Sequence, residues 1–203
     1  VFPGHPLAIN QAEMEQLIGY SKDIEASRAT ARQLLKDAGV PEGFKFTFNN
    51  RGVDQPYKVV GTWLVDQWRK VGLDPQQTVK PSPQFYATLR KKYDFDVSID
   101  FNCQSVINPI ADVSKFLCSA GNNYSQCDNQ EIEDLYDRLM KAATLDDQKA
   151  AMRAYEKAAV DFAGSSITLW WYKINPHRSY VKGWNIAPSH YLNQHLDNVW
   201  LDQ

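Results

Sequence analysis

The chain has 203 residues, enough for one sizeable core or two small ones, and its 43% apolar and 23% charged residues exclude a globally disordered protein. Lys and Arg total 22 against 24 acids, net −2, which excludes a broad nucleic-acid surface. No apolar run approaches the roughly 20 residues of a membrane-spanning helix, and the aromatic content of 12% suits a rich core as readily as a binding cleft.

Residues 1–6 read as a loop with neither a basic n-region nor an apolar h-region, so the chain is expected to be a processed piece whose targeting signal lies outside it. The first clear element is a helix. Asp23 caps it, Ile24, Ala31, Leu34, Leu35 and Ala38 form its stripe, and Gly39 with Pro41 stops it. Phe44-Lys45-Phe46-Thr47-Phe48 alternates with period two and predicts a strand. A second helix is expected from about Gln55, with Tyr57, Val60, Leu64, Trp68 and Val71 on one face, Trp63 near that face as a core residue, and Gly72 at its end. Leu73–Lys80 predicts a poorer strand, weakened by Pro75. Residues 83–92 predict a short helix carrying Phe85, Tyr86 and Leu89, and residues 95–101 alternate strictly enough to be the best strand in the chain. Strand and helix thus alternate at least twice, which predicts an α/β layered sheet.

Residues 102–129 read as irregular. Two strong helices follow. The first is expected to be capped by Asp128 with Glu131 and to bury Ile132, Leu135, Tyr136, Leu139, Met140 and Ala143. Thr144 opens the second, whose stripe is Leu145, Gln148, Met152, Tyr155, Ala159 and Phe162, with Gly164 just past its end. The short connection predicts an antiparallel hairpin. Residues 167–172, 178–181 and 199–201 predict three further strands.

Metal chemistry needs clustered ligands, and His5, His177, His190 and His195 have no such spacing, so no metal or other cofactor is expected. The sequence has no nucleophile elbow, phosphate loop or dinucleotide fingerprint. Cys103 follows a strand, where a nucleophile could sit, but no neighbouring His motif would activate it, so a buried inert thiol is the expectation and a cysteine hydrolase a distant third reading. Asn123-Tyr124-Ser125 matches a glycosylation sequon, a pattern common by chance. The spacing of Cys118 and Cys127 leaves two readings open, a short-loop bridge or two reduced thiols. Binding remains as the function. Asn102, Cys103, Gln104 and Ser105 follow the best strand, where α/β folds open clefts. Trp170, Trp171 and Tyr172 are consecutive on a predicted strand, so alternate rings should point to opposite faces, as core or as cleft.

The order of segments resembles the family 5 extracellular solute-binding proteins, the dipeptide, oligopeptide and nickel receptors of ABC importers. The residues that carry the resemblance are Tyr20 to Asp23, the run from Ala31 through Gly39-Val40-Pro41-Glu42-Gly43-Phe44, Leu64 to Leu73, Tyr93 to Val97, Asn108-Pro109 with Phe116-Leu117, Asn122 to Ser125, and the closing Ile167-Thr168-Leu169. The resemblance covers nearly the whole chain. It implies a periplasmic-binding-protein-like lobe, a mixed sheet flanked by helices, in residues 1–165, and a hinge strand and tail in residues 166–203 that would return to a first lobe. It also implies a monomeric, periplasmic, secreted or lipid-anchored protein that is not an enzyme. Such a protein holds a peptide-like or other small polar solute between two lobes and delivers it to the importer's transmembrane subunits. A Cys118–Cys127 disulfide is implied by the dipeptide-receptor branch. The family's amine-binding aspartate corresponds here to Ser105, which points to a sugar, an opine-like compound or a modified peptide rather than an ordinary free-amine peptide. Phe85, Trp170 and Tyr172 correspond to rings that line the family's pocket, with Asn102, Gln104 and Ser105 orienting the ligand; Asp100 could supply the missing negative charge. The alternative is a periplasmic protein-interaction or sensing domain on the same fold without transport.

Overall fold

The computed structural model describes residues 1, 4–92, 94–102, 108–172, 174–186 and 195–202, which fall into two compact units: Gln11–Phe101, and Val1–Asn10 together with Asn102–Gln203.

The Gln11–Phe101 unit is a parallel β-α-β arrangement. A single helical turn, α1 (Gln11–Met14), precedes α2 (Ile24–Asp37), where Asp23 accepts a hydrogen bond from the Ala26 amide at 2.9 Å and so satisfies one of the free donors of the first turn. β1 (Phe44–Arg51) follows, then a wide turn over Asp54–Lys58, α3 (Val59–Lys70), β2 (Leu73–Lys80), α4 (Ser82–Ala87) with a wide final turn over Thr88–Lys92, and β3 (Val97–Ser98). The strand order is β2-β1-β3, all parallel. β1 is central, paired with β2 on one side and β3 on the other, and its Phe46 and Phe48 side chains meet the Trp68 ring of α3 edge-on, at 5.2 and 5.0 Å. Pro75 fits within β2 because β2 lies at the sheet edge, where a missing amide hydrogen interrupts no second ladder.

The buried residues of α3 are Gly61 and Val65, in line with Tyr57 of the turn before it, and this turns Trp63 to the solvent, where it is 56% exposed rather than core. The strand expected over residues 95–101 is reduced to Val97–Ser98. It pairs with β1 on one side only, through Phe48↔Val97 and Asn49↔Ser98, with the amides of Asp96 and Ile99 reaching Thr47 and Asn49 carbonyls at its ends. Alternation marks residues fit for a strand, but ladder length is set by the partner.

In the second unit, α5 (Pro109–Val113) and a 3₁₀ turn (Ser114–Phe116) give regular structure to a stretch read as irregular. α6 (Gln130–Lys141) is capped by Asn129, not Asp128: the Asn129 Oδ1 accepts from the Ile132 amide at 3.2 Å. α7 (Leu145–Phe162) is capped by Thr144 as expected, its Oγ1 accepting from the Asp147 amide at 3.1 Å. Leu7, Val113, Ile132, Leu139, Ala151, Met152 and Tyr155 form the core between these helices. Met140 and Leu145, read as part of the buried stripes, are exposed. The Tyr155 hydroxyl donates to the Val113 carbonyl at 2.8 Å and that of Tyr136 to Ile110 at 3.3 Å, fixing α5 onto the hairpin. Cys118 and Cys127 are joined by a disulfide, Cα–Cα 5.1 Å, which closes the segment leading into α6.

The strand expected over residues 167–172 is not formed. No strand among the described residues pairs with it, and a single strand cannot satisfy its own amides and carbonyls. The two-residue strands β4 (Val181–Lys182) and β5 (Trp200–Leu201) pair with each other, antiparallel. Among the described residues the strands form a parallel sheet of three and an antiparallel pair.

Candidate functional site

β1 delivers its last residue, Arg51, to the carboxyl end of the parallel sheet, the end at which open α/β sheets bind ligands. The strand turns polar as it gets there. Phe48 is followed by Asn49 and Asn50, both fully buried, and then by Arg51. Asn50 lies against α3: its Nδ2 donates to the Arg51 carbonyl at 2.9 Å and its Oδ1 accepts from Gln77 Nε2 at 3.0 Å. Asn49 is tied to β3, where the Ser98 hydroxyl donates to the Asn49 carbonyl at 3.2 Å.

Arg51 is held by neutral groups. Its Nε donates to Ser82 Oγ at 2.8 Å and a terminal nitrogen to the Tyr86 hydroxyl at 3.4 Å. The guanidinium lies 5.1 Å from the Tyr57 ring centroid and 5.3 Å from that of Tyr86. A second guanidinium, Arg90, lies 5.0 Å from the Tyr86 centroid. The Tyr57 ring is also edge-on to Phe101 at 6.2 Å. This is a half-buried, charge-bearing face with aromatic walls. A planar cation stacked on rings keeps its free donors pre-oriented for a carboxylate.

Burial pushes the Tyr57 phenol up to about 12; the nearby Arg51 charge opposes the rise and the Asp100 carboxylate adds to it. Tyr57 therefore stays a neutral phenol throughout the physiological range. Because folding keeps the proton that the unfolded chain releases near its ordinary value of 10, the unfolded state binds fewer protons between about pH 10 and 12. Stability contributed at Tyr57 is complete below pH 10 and falls as pH rises to 12. Ultraviolet titration of Tyr57→Phe against the parent chain should remove one phenolate that appears near pH 12; a missing signal near pH 10 would contradict this burial.

The residues singled out in the sequence are not the ones that make up this cluster. Phe85 is fully buried, edge-on to Tyr86 at 5.1 Å, and offers no surface of its own. Asn102 is exposed, and its Nδ2 donates to the Asp112 carbonyl at 3.3 Å, so one of its amide donors serves α5. Cys103, Gln104 and Ser105 lie outside the described residues. Trp170, Trp171 and Tyr172 do not alternate between a core and an outer face: all three are exposed, Tyr172 by 84%. Phe85 belongs to the Gln11–Phe101 unit, and Asn102, Trp170 and Tyr172 to the other. Asp100 acts electrostatically on Tyr57. The sequence reading missed Arg51. Its signal was the polar run Asn49-Asn50-Arg51-Gly52 closing an otherwise apolar alternation, which neither strand periodicity nor a simple turn explains.

Among the described residues no group of His, Cys, Asp and Glu is arranged to hold a metal ion, and no helix is long and apolar enough to cross a membrane. No protein-family model matches the sequence, and no curated protein matches it. Solved structures do. That of Haemophilus influenzae OppA complexed with the peptide RPPGFSPFR matches 98% of this chain and 39% of that one, with a TM-score of 0.73 and 20% identity. The ABC transporter-associated periplasmic binding protein DppA from Helicobacter pylori, in complex with the peptide STSA, matches over 91% of this chain and 35% of its own, with a TM-score of 0.72 and 20% identity. Burkholderia pseudomallei OppA matches over 90% and 36%, with a TM-score of 0.66 and 15% identity. At such identities the likeness is one of fold, and it meets the family 5 resemblance read from the sequence at that level. The chain has the α/β periplasmic-binding-protein fold of the peptide- and oligopeptide-binding proteins of ABC transporters, over little more than a third of their length.

Proposed function

We propose that this chain is part of the substrate-binding component of an ABC-type importer and takes a peptide-like or other small polar solute. Residues 1–165 would form the second of two lobes, and residues 166–203 the hinge strand and tail. The observation that carries the reading is the fold match across 98% of the chain to a binding protein crystallised with its peptide. The Arg51 cluster supports it from this chain's own residues. A carboxylate on the solute would replace water on the guanidinium and gain charge-assisted hydrogen bonds without displacing a protein acid. The exposed Ile167, Leu169, Trp170, Trp171 and Tyr172 fit a segment that completes a sheet and a pocket wall with the first lobe. Asn102, Cys103, Gln104 and Ser105 are proposed as further solute-binding residues on the strength of the family resemblance. The disulfide suits an oxidising, periplasmic setting, and the importer's transmembrane subunits would be the partners. The role is binding and release, without catalysis.

Native mass spectrometry of the full-length parent protein, purified without refolding, tests this. A retained small mass is expected, and its fragmentation identifies the solute class. The 203-residue chain alone should hold the same solute only weakly, since half a clamshell offers half the contacts and cannot close. A bare parent protein whose melting temperature no peptide or polar solute raises would overturn the receptor reading in favour of an interaction or sensing domain.

A further inference from the structure

β1 and β2 run in parallel register to their last residues, so Arg51 and Lys80 are direct partners across the strands. Partnered residues on adjacent parallel strands project to the same face of the sheet. Both side chains are then caught by hydroxyls of the following helical segment, Arg51 by Ser82 Oγ at 2.8 Å and Lys80 by Thr88 Oγ1, which accepts from Nζ at 3.1 Å. Thr88 is buried and donates its own hydrogen to the Gln84 carbonyl at 3.0 Å, so it can offer Lys80 a lone pair but no charge. Among the described residues, no carboxylate lies within ion-pair distance of either cation. Elsewhere in the same unit Lys58 and Lys70 each have an aspartate one turn away, at 2.7 and 2.6 Å. Two half-buried cations on neighbouring strands repel one another, and neutral hydroxyls do not cancel that repulsion.

We infer that Arg51 and Lys80 form a two-cation subsite, and that the solute carries two negative groups, as a dicarboxylate or a peptide ending in an acidic residue does. This inference rests on the solute-binding reading, with Arg51 taking one carboxylate and Lys80 distinguishing acidic solutes from their neutral isosteres. Lys80 is a specificity residue on this account.

The test is isothermal titration calorimetry of the full-length parent protein with three probes, alanyl-glutamate, alanyl-glutamine and glutarate. Alanyl-glutamate should bind about tenfold more tightly than alanyl-glutamine, the worth of one charge-assisted contact. Lys80→Gln should erase that preference by weakening alanyl-glutamate about tenfold, and Lys80→Arg should retain it. Equal binding of the two peptides to the parent chain, or a Lys80→Gln variant that weakens both alike, overturns the inference and leaves the peptide-receptor reading standing. Glutarate binding without either peptide upholds the subsite and overturns the peptide reading. Silence with all three probes overturns the inference, and the receptor reading then stands or falls on the native mass measurement alone.

Discussion

Gly61→Ala is expected to destabilise the Gln11–Phe101 unit by about 3 kcal/mol, although alanine is the better helix former by about 1 kcal/mol. A Cβ at position 61 would fall 1.6 Å from Asn50 Oδ1 and 2.8 Å from its Cγ, inside any permitted separation. Asn50 has no easy retreat. It is fully buried, its Nδ2 is engaged by the Arg51 carbonyl and its Oδ1 by Gln77. Turning it away leaves buried polar atoms without partners, and moving α3 instead separates Trp68 from Phe46 and Phe48. The double variant Gly61→Ala/Asn50→Ala removes the obstacle and should recover part of the loss, giving a clear coupling energy in a double-mutant cycle. Urea denaturation followed by tryptophan fluorescence reads both. A Gly61→Ala midpoint equal to that of the parent chain would show that α3 does not approach β1 this closely.

The second large effect belongs to the other unit. Cys118→Ser/Cys127→Ser should cost about 2.7 kcal/mol, the loop-closure value for a bridge across nine positions. For a unit of this size that corresponds to a fall in melting temperature of roughly 10 °C. The loss is bounded because other bonds hold the same segment. Asn123 Nδ2 donates to the Leu117 carbonyl at 2.8 Å, and the Ser119 amide and hydroxyl both reach the Glu133 carboxylate at 2.9 Å. The variant should therefore keep its helical circular dichroism at 25 °C while melting early. A thermal scan of the parent chain with and without reductant gives the same comparison without mutation. An unchanged melting temperature after verified reduction of the disulfide to two thiols would contradict the assignment.

Local physics was legible in the sequence, and pairing was not. Asp23 and Thr144 could be read as caps because a cap needs only a side-chain oxygen and amides two or three residues on. The Asn129 cap lay one residue from the expected Asp128, since both side chains can accept and only the chain's entry angle chooses. The apolar stripes of α6 and α7 were sound at Ile132, Leu139, Met152 and Tyr155, where the helix period and the core coincide. The strands are different. Residues 95–101 and 167–172 have the composition of strands, but a strand exists only as far as its neighbour extends, and no periodicity reports the neighbour. Trp63 was misplaced by a shift of the α3 stripe that Gly61 causes, because the close approach at glycine draws that side of the helix inward. Arg51 passed unnoticed for a related reason: its significance lies in Ser82, Tyr86 and Lys80, which only the sheet register brings beside it.

The parallel register of the first unit also bears on how quickly it assembles. Asn50 meets Gln77 across 27 residues of chain, and Asn49 meets Ser98 across 49. In the hairpin of α6 and α7, by contrast, Gln148 closes on the Ala142 carbonyl only six residues back. Loops of the first kind must form before any of their contacts repay the lost chain freedom, whereas the hairpin gains as it zips. In a stopped-flow refolding trace the helical signal of residues 130–162 should lead, and Trp68 fluorescence should lag until β1 has found both of its neighbours.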